Sequence, residues 1–224
     1  MVVKRVYTFY SEQRFLFLLI SILLLLLLSP FLRGFLSIKI MLDIFFSLVF
    51  ISAVNAISSN KRNLVILSVL AIPMLLSIWI GHFIEIQGLS ITGSFSGIIF
   101  FIYLIITLLR HIFRQERINR EVIFAAIVVY LLMGVLWAYV YGTIESIQPN
   151  SFSRIKDTMG DQRYLFLYYS FVTLTTLGYG DISPITPVAS SMAILEAIIG
   201  QLYLVVQIAW LVGLRVSQKT SIEP

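Results

Sequence analysis

The chain has no cysteine and only two histidines, His82 and His111, among 224 residues. Disulfides, thiolate metal sites and cysteine nucleophiles are thereby excluded. The two histidines fall in separate segments, where each reads as a polar residue near a membrane interface. Charge is also scarce: Asp, Glu, Lys and Arg make up 12% of the chain, against about a quarter in a soluble domain. So few ionisable groups supply no nucleophile–base set, metal cluster or phosphate-binding loop, and an enzyme is not expected. The net charge of +5 does not point to nucleic acid, because the basic residues sit in short gaps between apolar blocks. There they act as topology signals.

What fills the chain is apolar: 59% of its residues, gathered in long blocks. Six blocks are long enough to cross a hydrocarbon core of about 30 Å: Arg14–Leu32, Ile40–Ala56, Leu64–Ile80, Ile91–Leu109, Val122–Tyr141 and Val188–Val212. Backbone in lipid must satisfy its own hydrogen bonds, so each is expected to be a helix. The first block follows Lys4 and Arg5 as a signal peptide would. It is too long for one, and Ser29–Arg33 offers no small-residue cleavage site. With both termini in the cytoplasm, eleven of the sixteen basic residues lie inside, and Arg33, Lys39, Arg154, Lys156 and Arg163 lie outside. That excess matches the positive-inside rule.

A seventh apolar stretch, Tyr164–Thr175, spans only about 18 Å as a helix. It is too short to cross. A glycine-rich turn, Asp181, Pro184 and Pro187 follow it. A short helix that enters and returns through irregular backbone is a re-entrant loop, tolerated where it lines a watery path or is buried in protein. The expected fold is therefore an all-α membrane protein with six transmembrane helices, a re-entrant pore helix and a filter loop. Residues 1–120 form a four-helix domain with a basic cytoplasmic linker, 121–214 a pore module, and 215–224 a short cytoplasmic tail.

The turn reads Thr175-Thr176-Leu177-Gly178-Tyr179-Gly180-Asp181. A dehydrated cation needs oxygen ligands, and successive backbone carbonyls can supply them if all aim at one axis. Alternating glycines permit the dihedrals this requires, and a threonine hydroxyl adds a further ring. The preceding helix would point its C-terminal end, with about half a negative charge, at the same path. One loop gives one ligand per level, so a cage needs several copies around an axis; four make a cyclic tetramer.

This stretch resembles the selectivity filter of potassium channels, Thr-Val-Gly-Tyr-Gly, with Leu177 in place of valine. The ligand at that level is a carbonyl, so the exchange bears on packing behind the filter. The resemblance extends upstream through Tyr168-Tyr169-Ser170-Phe171-Val172-Thr173-Leu174-Thr175, which looks like a potassium-channel pore helix. In all it covers about residues 122–214. It implies a homotetramer that conducts potassium passively, with potassium as permeant ion and no cofactor. Thr176, Leu177, Gly178, Tyr179 and Gly180 match the coordinating residues, and Asp181 the acid at the outer mouth. Tyr168, Tyr169, Ser170 and Thr175 fall on pore-helix support positions. The Tyr179 side chain is expected to turn away from the ion and brace against aromatics such as Tyr168 or Tyr169. The family's pore-helix glutamate has no counterpart, since Val172 stands there.

In the last span, Gly200 matches the position at which inner helices of the family bend; a plain helix–helix contact is the alternative. Glu196 is more unusual, because an acid inside a span costs about 2.5–3.5 kcal/mol on insertion scales. It either sits behind the filter and replaces the missing brace, bonding to Ser170 or Thr175, or reaches water at the outer end. Gln201, Leu204, Ile208 and Val212 form one stripe, expected to line the inner cavity and gate unless it faces lipid.

Six spans and a filter invite a voltage-sensor reading. The fourth span, however, contains no arginine or lysine; the series Arg110, Arg114, Arg117 and Arg120 begins after it. That stretch fits an amphipathic linker with Ile112, Phe113 and Ile118 in the membrane interface, open to anionic lipid. Asp43, Asn55, His82 and Glu85 are polar residues in or near spans two and three, explained by interface polarity or as partners of a displaced sensor. The short tail has no room for a ligand-binding domain, which leaves gating to the membrane, a ligand or a regulatory subunit. Three rival classes differ in a visible feature: weakly selective cation channels lack the tyrosine between the glycines, potassium transporters carry four pore loops per chain, and a non-conducting scaffold would differ only in function. The compact form looks prokaryotic, which implies the plasma membrane.

Overall fold

The computed structural model describes residues 15–27, 38–56, 61–80, 87–115, 118–153 and 162–220. Seven helices occupy them: α1 (Phe15–Leu27), α2 (Ile38–Ala56), α3 (Lys61–Ile80), α4 (Gln87–Phe113), α5 (Arg120–Ile147), α6 (Gln162–Leu174) and α7 (Pro187–Thr220). Four of them are long and apolar enough to cross a membrane, over Lys61–Ile80, Ile91–Phe113, Arg120–Ile147 and Pro187–Val216. α2 covers the expected second run with 19 residues. α1 covers the middle of the first; Arg14 and residues 28–32 lie outside the described residues, as do Lys4, Arg5, Arg33, His82, Glu85, Arg154 and Lys156.

The outer faces of these helices are apolar. Val65, Val69, Ile72, Leu76 and Trp79 are exposed along α3, and Phe95, Ile99, Ile102 and Ile106 along α4. Steps of three and four residues make one stripe per helix. Outward apolar stripes of this extent need hydrocarbon around them, so the protein is membrane-embedded. Pro73 sits inside α3, a position that membrane helices accommodate through neighbouring groups.

Inside, the helices follow one another as antiparallel neighbours: α4 packs along α3 and α5, and α5 continues the contact to α6 and α7. An aromatic cluster joins the leading helices. The rings of Phe50 and Phe100 lie 4.6 Å apart, and Phe101 is 5.3 Å from Phe100. Tyr139 carries this cluster onto α5, 5.5 Å from Phe101 and 5.8 Å from Phe46. Gly97 of α4 leaves the room that the Tyr139 ring occupies, since a Cβ there would stand 2.9 Å from it. α1 docks through Phe15, 5.4 Å from the His111 ring, and through a 3.0 Å Ser21–Ser52 hydroxyl contact.

The turn from α4 to α5 is short. Asn119 adopts extended backbone and its side chain accepts the Val122 N–H at 2.9 Å, an N-cap that starts α5. This alters the expected linker. α4 continues through Arg110 and His111 to Phe113, so Ile112 is buried in the protein rather than laid in the interface. Phe113 meets Trp210 of α7 with ring centres 5.2 Å apart. The polar side chains that end the apolar run carry no backbone-breaking signal, so the helix outlasts the membrane segment. At the other end of the chain, α7 runs unbroken to Thr220; residues 215–220, expected in the tail, continue the helix. Pro187 opens it, as proline suits a first helical position, and Thr186 Oγ1 accepts the Ala189 N–H at 3.4 Å.

α5 is the most enclosed of the four long helices, with 56% of its apolar window buried, and α7 the least, with 11%. One protomer thus leaves its last helix largely uncovered.

Candidate ion pathway

α6 has 13 residues and stops at Leu174. Its last carbonyls are taken up by the turn that follows. Thr175 N donates to Phe171 O at 3.1 Å and Thr176 N to Thr173 O at 2.9 Å. Leu177 N and Gly178 N both donate to Val172 O, at 2.9 and 3.2 Å. The turn therefore presents these N–H groups toward the helix.

Backbone signs then alternate. Thr176, Gly178 and Gly180 have φ of 59°, 59° and 76°, while Leu177 and Tyr179 between them do not take positive values. Alternation of this kind gathers N–H groups on one side of the chain and carbonyls on the other, as in anion-binding nests. Here the Leu177 and Gly178 N–H groups face α6. Glycine takes such φ values freely; a β-branched threonine does so only under strain. Thr176 is thus the costly position of the turn. A Cβ at Gly178 or Gly180 would meet no atom within 4 Å, so what those two positions require is conformation, not space. Residues 175–181 are all exposed in the protomer.

The outer end of the turn is anchored twice. Tyr168 on α6 donates to Asp181 Oδ2 at 2.7 Å, and Asp181 Oδ1 accepts the Ile182 N–H at 3.0 Å. Beyond it, Ser153 N donates to Ser183 O at 2.8 Å and Ile185 N to Ser151 O at 2.7 Å, and Phe152 forms an isolated bridge with Pro184. The Glu145 carboxylate fixes that loop, accepting Asn150 N at 2.8 Å and Ser151 N at 2.9 Å.

Behind the turn lies a buried polar cluster. The Glu196 side chain is fully enclosed, 0% exposed. Its carboxylate accepts from the Tyr141 hydroxyl and from the Ser170 hydroxyl, and Ser170 Oγ also lies 2.7 Å from Gly134 O. Three helices, α5, α6 and α7, meet at this one carboxylate. Glu196 does not reach water at the outer end, and of its two expected partners only Ser170 is engaged. The Thr175 hydroxyl turns to Phe171 O, at 2.6 Å. Val172, standing where the family has its pore-helix acid, is buried.

Close backbone approach supports the same region. A Cβ on Gly134 would stand 2.6 Å from the Phe171 ring, and one on Gly200 would stand 2.7 Å from Leu174 Cδ1 and 3.0 Å from Leu174 O. Gly200 thus sits in a tight contact between α7 and the end of α6, and α7 passes through it without a break. Tyr169 packs toward α5. It is buried, with its ring 5.0 Å from Tyr141 and 5.3 Å from Phe152, while Tyr179 is 66% exposed. On the lower part of α7, Gln201, Ile208 and Val212 are exposed and Leu204 is half-buried.

Sequence reasoning missed Tyr141, Gly134 and Tyr130, whose hydroxyl donates to Leu174 O at 3.3 Å. A signal was present: Tyr130, Trp137 and Tyr141 are spaced seven and four apart, one helical stripe of large rings with polar tips.

The described residues form an all-helical, membrane-embedded arrangement. Residues 121–214, less than half of the chain, match a family model described as an ion channel. That stretch starts and ends within a residue of the resemblance seen in the motif. No curated protein matches the chain.

Proposed function

We propose that the protein is a potassium-selective channel that works as a homotetramer around a fourfold axis. Each subunit has six spans, with both termini in the cytoplasm and the whole in the plasma membrane. Thr176, Leu177, Gly178, Tyr179 and Gly180 aim carbonyls at dehydrated potassium, with the Thr176 hydroxyl at the inner end. The observation that carries this reading is the alternation of φ sign along Thr176–Gly180, directly after a helix too short to span. A strained threonine is kept where coordination repays it.

Other features support the same mechanism. Asp181, held by Tyr168, puts negative charge at the outer mouth, where it raises the local cation concentration. Glu196 braces the pore helix in place of the absent acid at Val172. The bare α7 face suits neighbouring subunits and a cavity lined by Gln201, Leu204, Ile208 and Val212. Gly200 serves here as a packing glycine. Arg110 and His111 are the basic residues of the last turn of α4, at the end of the helix rather than along it, a placement that does not suit a voltage sensor; Arg117 lies outside the described residues.

The test is ion flux from proteoliposomes of the full chain under potassium or sodium gradients. Potassium-driven flux that barium blocks, and that Gly178→Ala abolishes, is the expected result. Equal sodium and potassium flux would overturn selectivity. No flux from well-folded protein across a range of voltage and pH would overturn conduction.

A further inference from the structure

Asp43 and Arg163 lie 120 residues apart in the chain and form an ion pair. Asp43 belongs to α2, among the leading helices. Arg163 belongs to the first turn of the pore helix α6. The Asp43 side chain is 0% exposed, and that of Arg163 is 32% exposed. A carboxylate so enclosed needs partners, because an unpaired buried charge is strongly unfavourable, and the Arg163 guanidinium is one of them. The location of α2 is therefore tied to that of α6.

The pair also meets an electrostatic need of α6. The first turn of that helix has no acidic residue, and a guanidinium at a helix N-terminus opposes the macrodipole. Asp43 brings from another element the negative charge that a first-turn Asp or Glu would supply. The turn of α2 that carries it is itself fixed. Ser47 Oγ donates to Asp43 O at 2.7 Å, and Trp79 Nε1 of α3 donates to Ser47 Oγ at 3.3 Å. Phe46 packs on Tyr139 of α5. At the other end of α6, Val172 O accepts the Leu177 and Gly178 N–H groups of the filter turn. Anything that shifts the N-terminus of so short a helix shifts that carbonyl.

We propose that Asp43 and Arg163 are a positioning pair for the filter: the leading helices set the placement of α6, and through it the aim of the filter carbonyls. The proposal rests on the channel reading above and adds a route from the outer side of the leading helices to the selectivity element. It requires no contact between Asp43 and the ion.

The full chain is compared with Asp43→Asn, Arg163→Gln and the double variant in proteoliposomes. The readouts are the potassium-to-sodium permeability ratio, barium affinity and thermal stability in detergent. Each single substitution should lower stability and reduce the permeability ratio by roughly tenfold to a hundredfold, the upper figure being the scale of a 1 Å misplacement. The double variant, with no unpaired buried charge, should regain stability while its permeability ratio and barium affinity stay impaired. Recovery of both, or single variants with unchanged selectivity, would overturn the proposal and leave the pair a packing contact. If a single variant fails to fold, the double variant decides by its selectivity alone. Wild-type protein without potassium preference would instead overturn the channel reading, and this inference with it.

Discussion

The two halves of the molecule are held together by different means. The leading helices rest mainly on aromatic contacts, with Phe46, Phe50, Phe100 and Phe101 packed together and onto Tyr139 of α5, and on a few side-chain bonds such as Ser21–Ser52 and Trp79–Ser47. The half formed by α5, α6 and α7 carries many more polar bonds at defined atoms, among them Tyr141 and Ser170 on Glu196, Tyr168 on Asp181, and two backbone amides on Glu145. Regular helices in lipid already satisfy their backbones and need only close packing. A turn with alternating φ has no ladder of its own, so neighbouring groups must specify it one bond at a time. Precision in this chain is concentrated where the backbone is least regular.

That contrast can be broken by substitution, read as thermal stability of the purified protein in detergent. The largest loss is expected from Glu196→Ala, which strands the buried Tyr141 hydroxyl and opens a cavity; about 2–5 kcal/mol is the scale for a large-to-small change that leaves a buried polar group unsatisfied. Tyr141→Phe keeps the ring packing and removes one bond to the carboxylate, which should cost about 1.5–3 kcal/mol. Gly134→Ala drives a methyl into the Phe171 ring and should cost about 1–3 kcal/mol through overpacking, with a larger effect on flux than on stability because Phe171 is on the pore helix. Phe100→Leu in the leading helices removes one member of an aromatic pair, for which about 0.5–1.5 kcal/mol is expected beyond area terms. Val69→Leu on the lipid-facing stripe of α3 should stay within about 0.5 kcal/mol of wild type. If Val69→Leu matched Tyr141→Phe in effect, the distinction between the halves would fail.

Much of the architecture is written in local sequence. The short helix, the glycine turn and the long apolar runs each show in length and residue type, because lipid thickness and backbone sterics act locally. The end of α4 was less legible. Arg110 and His111 mark where the apolar run stops, but nothing there breaks a helix, and Phe15 of α1 covers that turn. Glu196 stood out as an acid in a span, yet Tyr141 did not stand out as its partner. The two are 55 residues apart, and their meeting depends on how three helices rotate about their axes. The pairing of Asp43 with Arg163 escaped for the same reason, since one residue looked like an interface polar group and the other like an outside topology charge.

The short turn between α4 and α5 also decides who carries whom. Because α4 folds straight back along α5 of its own chain, each subunit holds its leading helices against its own pore segment. In the fourfold assembly proposed above, a lesion in those helices would act on the quarter of the pore built by the same polypeptide. Mixed assemblies of intact and damaged chains should then decline in steps that follow the number of damaged chains, each defect staying with the subunit that inherits it.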